Sequence, residues 1–263
     1  YNNNADQAMG FGFFGFFSKG LLLAMNWLHH ALSIPYGWAI IVLTILLKFI
    51  FWPRSAASTR SAQKMSALGP QLAALKEKYK DDPTKFSQKQ MEFFRENKIN
   101  PVAGCLPMLV QLPVFFGLFM MLRTAIELRG ASFLWAADLS KADTLFLIPI
   151  RGLDFFPFNL FFTPEGLPLN PLPLLYIATA IWQTHITPMS PTMDATQQKL
   201  MRWMPLFFLV FLYNFSSGLA LYMTVNNLLT IFQTWVMKRN QPASAVAAPV
   251  TASVLTPTSK KKK

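Results

Sequence analysis

The stretch GWAIIVLTILLKFIFWP, Gly37 to Pro53, decides the class of this chain. Its apolar run, Gly37–Trp52, reads as a membrane-spanning helix, and it carries one cation, Lys48. A charge at the centre of such a helix costs about 2.5–3.5 kcal/mol on insertion scales. The lysine therefore calls for a reason.

Four more apolar stretches follow: Val102–Leu122, Leu172–Ile186, Met201–Phe215 and Leu219–Met237. A full crossing takes about 20 residues, with about 17 tolerated. The second and fifth of the five stretches meet that length. The other three need flanking residues or a locally thinned bilayer. Of the 263 residues, 52 % are hydrophobic and 14 % charged, against roughly 25 % charged in a soluble domain. The expected fold is all-α: a polytopic membrane protein with five transmembrane helices, an N-terminal interfacial helix and a cytoplasmic helical hairpin.

Charge sets the orientation. The segment Arg54–Gly104 holds ten Lys/Arg against five acids, and the C-terminal end adds Lys238, Arg239 and Lys260 to Lys263. By contrast, Arg123–Asn170 holds four Lys/Arg and five acids, and the first 35 residues hold Lys19 as their one Lys/Arg. Basic loops stay inside, so the 54–104 loop and the tail are placed in the cytoplasm and the N-terminus outside. The chain starts at Tyr1 without a signal of the basic–apolar–small kind, so an upstream signal or anchoring helix is expected. Lone Cys105 is read as a small buried apolar residue.

Three parts result: 1–35, an external segment with an interfacial helix; 36–239, a five-helix membrane core; and 240–263, a disordered cationic tail. In FGFFGFFSKGLLLAMNWLHHALS, Phe11–Ser33, the polar residues Lys19, Asn26, His30 and Ser33 share one helical face. That favours a helix lying in the interface over a sixth span. In the 54–104 loop, Met65, Leu68, Leu72, Leu75 and Tyr79 form an apolar seam. Asp81-Asp82-Pro83 makes a turn, and Phe86, Phe93 and Phe94 face back from a second helix ending near Asn100-Pro101. Pro70 is expected to kink the first of these helices. The pair is a solvated hairpin or a docking surface.

Within the external 123–170 segment, FLIPIRGLDFFPFNLFFTPEGLPLNPLP begins at Phe146, and its Pro and Phe content predicts no regular structure. Gln241–Lys263 is Ala/Pro/Ser/Thr-rich and ends in four lysines. It suits anionic headgroups or RNA phosphates.

Little here suggests chemistry. No GxSxG, HExxH, P-loop or paired-carboxylate pattern appears; no catalytic residue, metal or cofactor is expected, and His29 and His30 read as headgroup-level polar residues. The spans contain no Asp or Glu, which a proton-coupled transporter would carry. Their polar residues are mostly neutral, among them Thr44, Gln111, Gln183, Thr224, Asn226 and Asn227. Lys48 could simply be a helix-end anchor that snorkels. Alternatively, Thr44, one turn from Lys48, converges with Gln111, Tyr222, Asn226 and Asn227 on a hydrated recess in the cytoplasmic half. A cation kept charged by water in such a recess would attract an anionic guest.

Three motifs in order, INPVAGCLPMLVQLPVFFGLF (Ile99–Phe119), PMSPTMDATQQKLMRWMPLFF (Pro188–Phe208) and SGLALYMTVNNLLTIFQ (Ser217–Gln233), resemble the YidC/Oxa/Alb family of membrane protein insertases, nearest its bacterial branch. The resemblance covers nearly Gly10 to Arg239. It implies a five-helix core with a groove open to cytoplasm and lipid and closed outside, in which one cation draws in hydrophilic parts of a nascent membrane protein. The family motif usually has Arg at that cation; Lys48 keeps the charge without the planar fork. By the same resemblance Thr44, Gln111 and Tyr222 match groove positions, Met223 stands where a second tyrosine is frequent, and 145–170 is an insertion of no assigned role. The apolar part of a guest would slide along the second and fourth spans, with Leu112, Val114, Phe115, Phe207 and Phe211 as the greasy wall. The implied setting is the bacterial inner membrane. The implied partners are nascent membrane proteins and lipid, with the Sec translocon, and the ribosome through the hairpin and Lys-rich tail, as further candidates. The rival readings are a small-solute transporter or channel using the same recess, and an assembly subunit whose hairpin binds a partner.

Overall fold

In the computed structural model of the chain, the run carrying Lys48 is the first half of one 32-residue helix. The structure describes residues 15–97, 106–149, 161, 166–187 and 195–239, with the side chains of 83, 106–111, 124, 195 and 211 excepted. The order is α1 (Gly15–Leu32), α2 (Tyr36–Ala67), α3 (Gly69–Lys78), α4 (Pro83–Glu96), α5 (Leu106–Thr124), β1 (Phe146–Ile148), β2 (Leu167–Leu169), α6 (Pro171–Ile186), α7 (Ala195–Leu212) and α8 (Ser217–Arg239). Expectations for Cys105, the Asn100-Pro101 helix end and the tail from 240 lie outside the described residues.

α1 ends where Ser33 turns left-handed, at φ 52°, and Pro35 starts α2. At about 1.5 Å per residue α2 runs about 48 Å, more than the roughly 30 Å of a hydrocarbon core. Its basic end from Arg54 onward projects beyond any membrane that the first half occupies. Among the described residues, α2 alone is both long and apolar enough to pass as a membrane crossing by itself. α8 is 23 residues long, but it turns Thr224, Asn227, Gln233 and Thr234 into the protein, and those polar residues lower its hydropathy. A helix with an inward polar face depends on its neighbours to be acceptable in lipid.

α8 is the axis of the bundle. It packs extensively on α6 and α2 and also reaches α5, while α1 packs on α5 and α2, and α7 on α6. The fully buried side chains Ile40, Met121, Leu122, Leu128, Leu139 and Leu219 gather at one end, where α2, α6 and α8 begin and α5 finishes. That end, the upper end below, is tied down by the connecting segment. Ser217 and Gly218 donate their amides to the carbonyls of Lys141 (2.7 Å) and Leu139 (3.0 Å), and the Ser216 hydroxyl donates to Leu139 O at 2.9 Å. These bonds satisfy first-turn amides that a helix cannot satisfy itself.

Three expectations need correction. First, Pro70 does not kink a helix. The chain breaks at Leu68, and Pro70 stands in the first turn of α3, where a missing N–H costs nothing. Second, the Pro/Phe-rich stretch contains regular structure: β1 pairs antiparallel with β2, Leu147 opposite Pro168. Pro168 is tolerated because its carbonyl turns away from β1 to accept from Tyr213 Oη at 2.6 Å. The ladder therefore never calls on the N–H that proline lacks. Third, the polar face assigned to α1 is divided. Lys19, His30 and Ser33 are exposed, but Asn26 Nδ2 donates to Glu127 Oε1 at 3.2 Å. α1 lies alongside α5 in the same direction, with Phe17 and Leu21 against Gly117 and Asn26 beside Glu127 further along.

The hairpin packs as its seam predicts. Met65, Leu72, Leu75, Phe93 and Phe94 form a separate buried cluster, with Leu68, Tyr79 and Phe86 against it. Asp82 caps α4 by accepting from the Lys85 amide at 3.0 Å.

Candidate functional site

The α2–α8 contact grades from apolar to polar. At the upper end Ile40 meets Gly218. Two turns below Ile40, Lys48 reaches across, and its Nζ donates to Thr230 Oγ1 at 2.7 Å. Thr230 passes its own proton to Asn226 O at 2.7 Å, so its lone pairs are free to accept from the ammonium. Lower still, Gln233 Nε2 donates to Ser55 Oγ at 2.6 Å, and Ser55 donates on to Trp52 O at 3.1 Å. None of the ion pairs found among the described residues involves Lys48: they join Lys85 to Asp82, Lys89 to Glu92 and Lys141 to Asp138. The ammonium is thus held by a neutral hydroxyl.

The residues singled out from the sequence are only partly brought together. Thr44 lies one turn above Lys48, buried, with its hydroxyl donating to Ile40 O at 2.7 Å. Asn226 contributes through its backbone carbonyl. Asn227 faces the other neighbour, where Nδ2 meets Thr179 Oγ1 of α6 at 3.4 Å. Tyr222 sits two turns above Thr230, within the buried core. The side chain of Gln111 lies outside the described residues, as does that of Phe211. On the apolar wall, Val114 and Phe115 are half-buried and pack on the core. Leu112 and Phe207 are exposed, Phe207 to 64 %. α5 and α7 are not among the helix pairs in extensive contact; α7 turns Leu200, Trp203, Leu206 and Phe207 outward.

Thr230, Ser55 and Gln233 were not singled out. Threonine and serine carry almost no hydropathy signal, and their partners are 182 and 178 residues away. Gln233 offers a hint, a long amide on the same helical stretch as Asn226 and Asn227. Among the described residues no group of three His, Cys, Asp or Glu is placed to hold a metal ion.

A cation held by a hydroxyl on a polar helix face, beside helices that keep bare apolar sides, defines a polytopic helical bundle built around a charged seam. Residues 27–244 match the family model described as 60Kd inner membrane protein, and the chain belongs to that family, the YidC/Oxa group. It is 40 % identical over 244 residues to the membrane protein insertase YidC of Bordetella pertussis, covering 92 % of this chain and 38 % of the relative. It is 41 % identical over 239 residues to that of Neisseria meningitidis serogroup B, covering 90 % and 39 %. The chain thus spans about two-fifths of the length of these relatives. A solved structure, described as an active YidC insertase crystal structure with the first transmembrane domain resolved, superposes with a TM-score of 0.58 at 28 % identity, covering 85 % of this chain and 47 % of that one.

Proposed function

We propose that this chain is the membrane-embedded part of an insertase and membrane-protein chaperone. It captures hydrophilic segments of nascent membrane proteins at a cytoplasm-open polar seam and releases their apolar segments into lipid. The observation that carries this reading is the bond from Lys48 to Thr230, a neutral partner that solvates the ammonium without neutralising it.

Magnitudes favour exchange of that partner. A hydrogen bond to a charged group contributes about 1.5–3 kcal/mol. An opposite charge at about 4 Å is worth about 4 kcal/mol at an effective dielectric of about 20. An arriving carboxylate therefore competes well with the Thr230 hydroxyl. The barrier to moving a polar loop across a bilayer is desolvation, and a hydrated seam reaching partway shortens the dry distance. α6 has 16 residues, about 24 Å, which suits a thinned bilayer. The fully buried residues at the upper end support closure on the external side. The exposed apolar sides of α5 and α7 support lateral release past Leu112, Val114, Phe115, Phe207 and Phe211.

In this reading five helices (α2, α5, α6, α7 and α8) cross the bacterial inner membrane, with residues 1–35 on the outer side, α1 lodged in that interface against the last two turns of α5, 123–170 outside, and the hairpin and 240–263 tail inside. Thr44 and the Asn226 carbonyl border the seam beside Lys48, with Gln111 as a further candidate, whereas Tyr222 belongs to the buried core above it and Asn227 to the contact with α6. Work is done by solvation and attraction, without covalent chemistry. The Sec translocon and the ribosome are candidate partners.

The test is reconstitution into liposomes with a short single-span substrate, scored by protease protection. Lys48→Ala should impair substrates with acidic translocated segments more than neutral ones, and Lys48→Arg should retain activity. Equal loss for both substrate types would reject charge capture. Solute flux without protected substrate would favour a transporter.

A further inference from the structure

The connection between α5 and β1 contains a small tight hairpin. Phe133 and Ala136 exchange both backbone hydrogen bonds, at 2.8 and 2.9 Å, leaving Leu134 and Trp135 at the tip. Leu134 adopts φ 51°, a left-handed conformation that strains a side chain with a Cβ and that glycine or asparagine takes readily. Nevertheless the position holds leucine, and that leucine is 71 % exposed. Among the described residues, neither buried cluster includes this leucine, so packing does not account for the strain.

The height of the tip is fixed. The Phe133 ring is buried against the first turn of α2, where a Cβ on Gly37 would overlap it. It also meets Trp38 edge-on, with centroids 5.5 Å apart. Leu134 and Trp135 therefore sit level with the start of the helix that carries the apolar run. Trp135 has its polar need met already, because Nε1 donates to Asp143 Oδ2 at 2.9 Å. Its exposed face, 42 % of the residue, is hydrocarbon. Trp38 is also exposed, and exposed Arg129 lies on the same connection. Tryptophans at one level, an apolar tip and a nearby arginine match the chemistry of the boundary between headgroups and acyl chains.

We propose that Leu134 and Trp135 form a wedge inserted into the external leaflet of the bilayer, anchoring the upper end of the bundle in the phospholipid interface. This requires that the chain be embedded in a membrane and is independent of whether it inserts other proteins.

The experiment uses the full chain with Cys105→Ser, reconstituted in phosphatidylcholine/phosphatidylglycerol liposomes, with an environment-sensitive NBD label on Leu134→Cys. The label should emit blue-shifted light and be quenched by nitroxides near the lipid headgroups more than by aqueous iodide. A label on Lys141→Cys, at an exposed site on the same segment, should report water. With the probe moved to Ser132→Cys, Leu134→Asn should shift its emission toward water while leaving the unfolding temperature in detergent unchanged or raised, because asparagine suits the backbone. Water-like emission and iodide quenching at 134 would overturn the proposal. So would a blue shift that appears only when a second protein is added, or a lower unfolding temperature for Leu134→Asn in detergent, which would mean that leucine packs on protein. None of these readouts depends on substrate insertion.

Discussion

Lys48 is the residue on which the functional reading turns, and its partner makes a sharp prediction possible. Thr230→Val keeps the shape of the side chain and removes the hydroxyl that receives the ammonium. The resting ammonium then loses the lower end of a charged hydrogen bond, about 1.5 kcal/mol, and because an arriving carboxylate no longer has to displace the hydroxyl, capture of acidic segments should tighten by up to roughly tenfold. Thr230→Ser keeps the acceptor and should capture them as the parent does. Loss by both variants alike would mean that Thr230 matters for packing. The lysine itself was legible because a charge in an apolar run breaks a pattern visible along the chain. Thr230 was not, because its meaning lies in a partner on another helix. Asn226 and Asn227 illustrate the same limit. Helical spacing placed both near the last helix's polar face, but one works through its carbonyl and the other turns to α6.

Among the elements, the start of α6 is tied to the external connecting segment, and there a single carboxylate sets the join. Asp143 is 3 % exposed; its Oδ2 accepts from the Leu172 amide at 2.7 Å and from Trp135, while Oδ1 is buried without a partner among the described residues. Burial pushes its pKa above the ordinary value of 3.8, and the two N–H donors offset this in part. The folded protein thus holds this proton to a higher pH than the unfolded chain does, and Asp143's contribution to stability falls as pH rises from about 4 through the folded value. Asp143→Asn keeps one oxygen for both donors and should flatten this dependence in thermal unfolding followed in detergent. Asp143→Ala leaves two N–H groups unsatisfied and should lower stability by about 1–3 kcal/mol. A steeper pH dependence in Asp143→Asn would show that the charge is stabilising. Elements with strong periodicity, such as the hairpin seam from Met65 to Phe94, were legible from sequence. The short β1–β2 pairing was not, because Pro168 argues against a strand unless Tyr213 is known to draw its carbonyl away.

At the scale of the whole molecule, charge and burial divide the chain in the same direction. The basic residues cluster on the hairpin and, with Lys238 and Arg239, at the end of α8, and the tightest packing lies at the opposite end, among Leu128, Leu139 and Leu219. Truncation after Arg239 removes Lys260 to Lys263 and should reduce ribosome co-sedimentation, with the reduction fading at high salt as counterion release requires. Unchanged co-sedimentation would leave anionic lipid as the tail's partner. The five apolar stretches and their order were readable because each is a composition signal. How they pack, with α8 central and α7 attached through α6, depends on which faces meet, and hydropathy does not record that.

The length of α2 has a mechanical consequence. One helix carries both Lys48 and, 19 residues on, its junction with the hairpin at Ala67, about 28 Å away along the axis. Pro53 is the weak joint in this lever. If the arm stays straight across that proline, a lean of about ten degrees at the level of the cation swings the far tip by about 5 Å; a bend at the proline absorbs the lean and leaves the hairpin still.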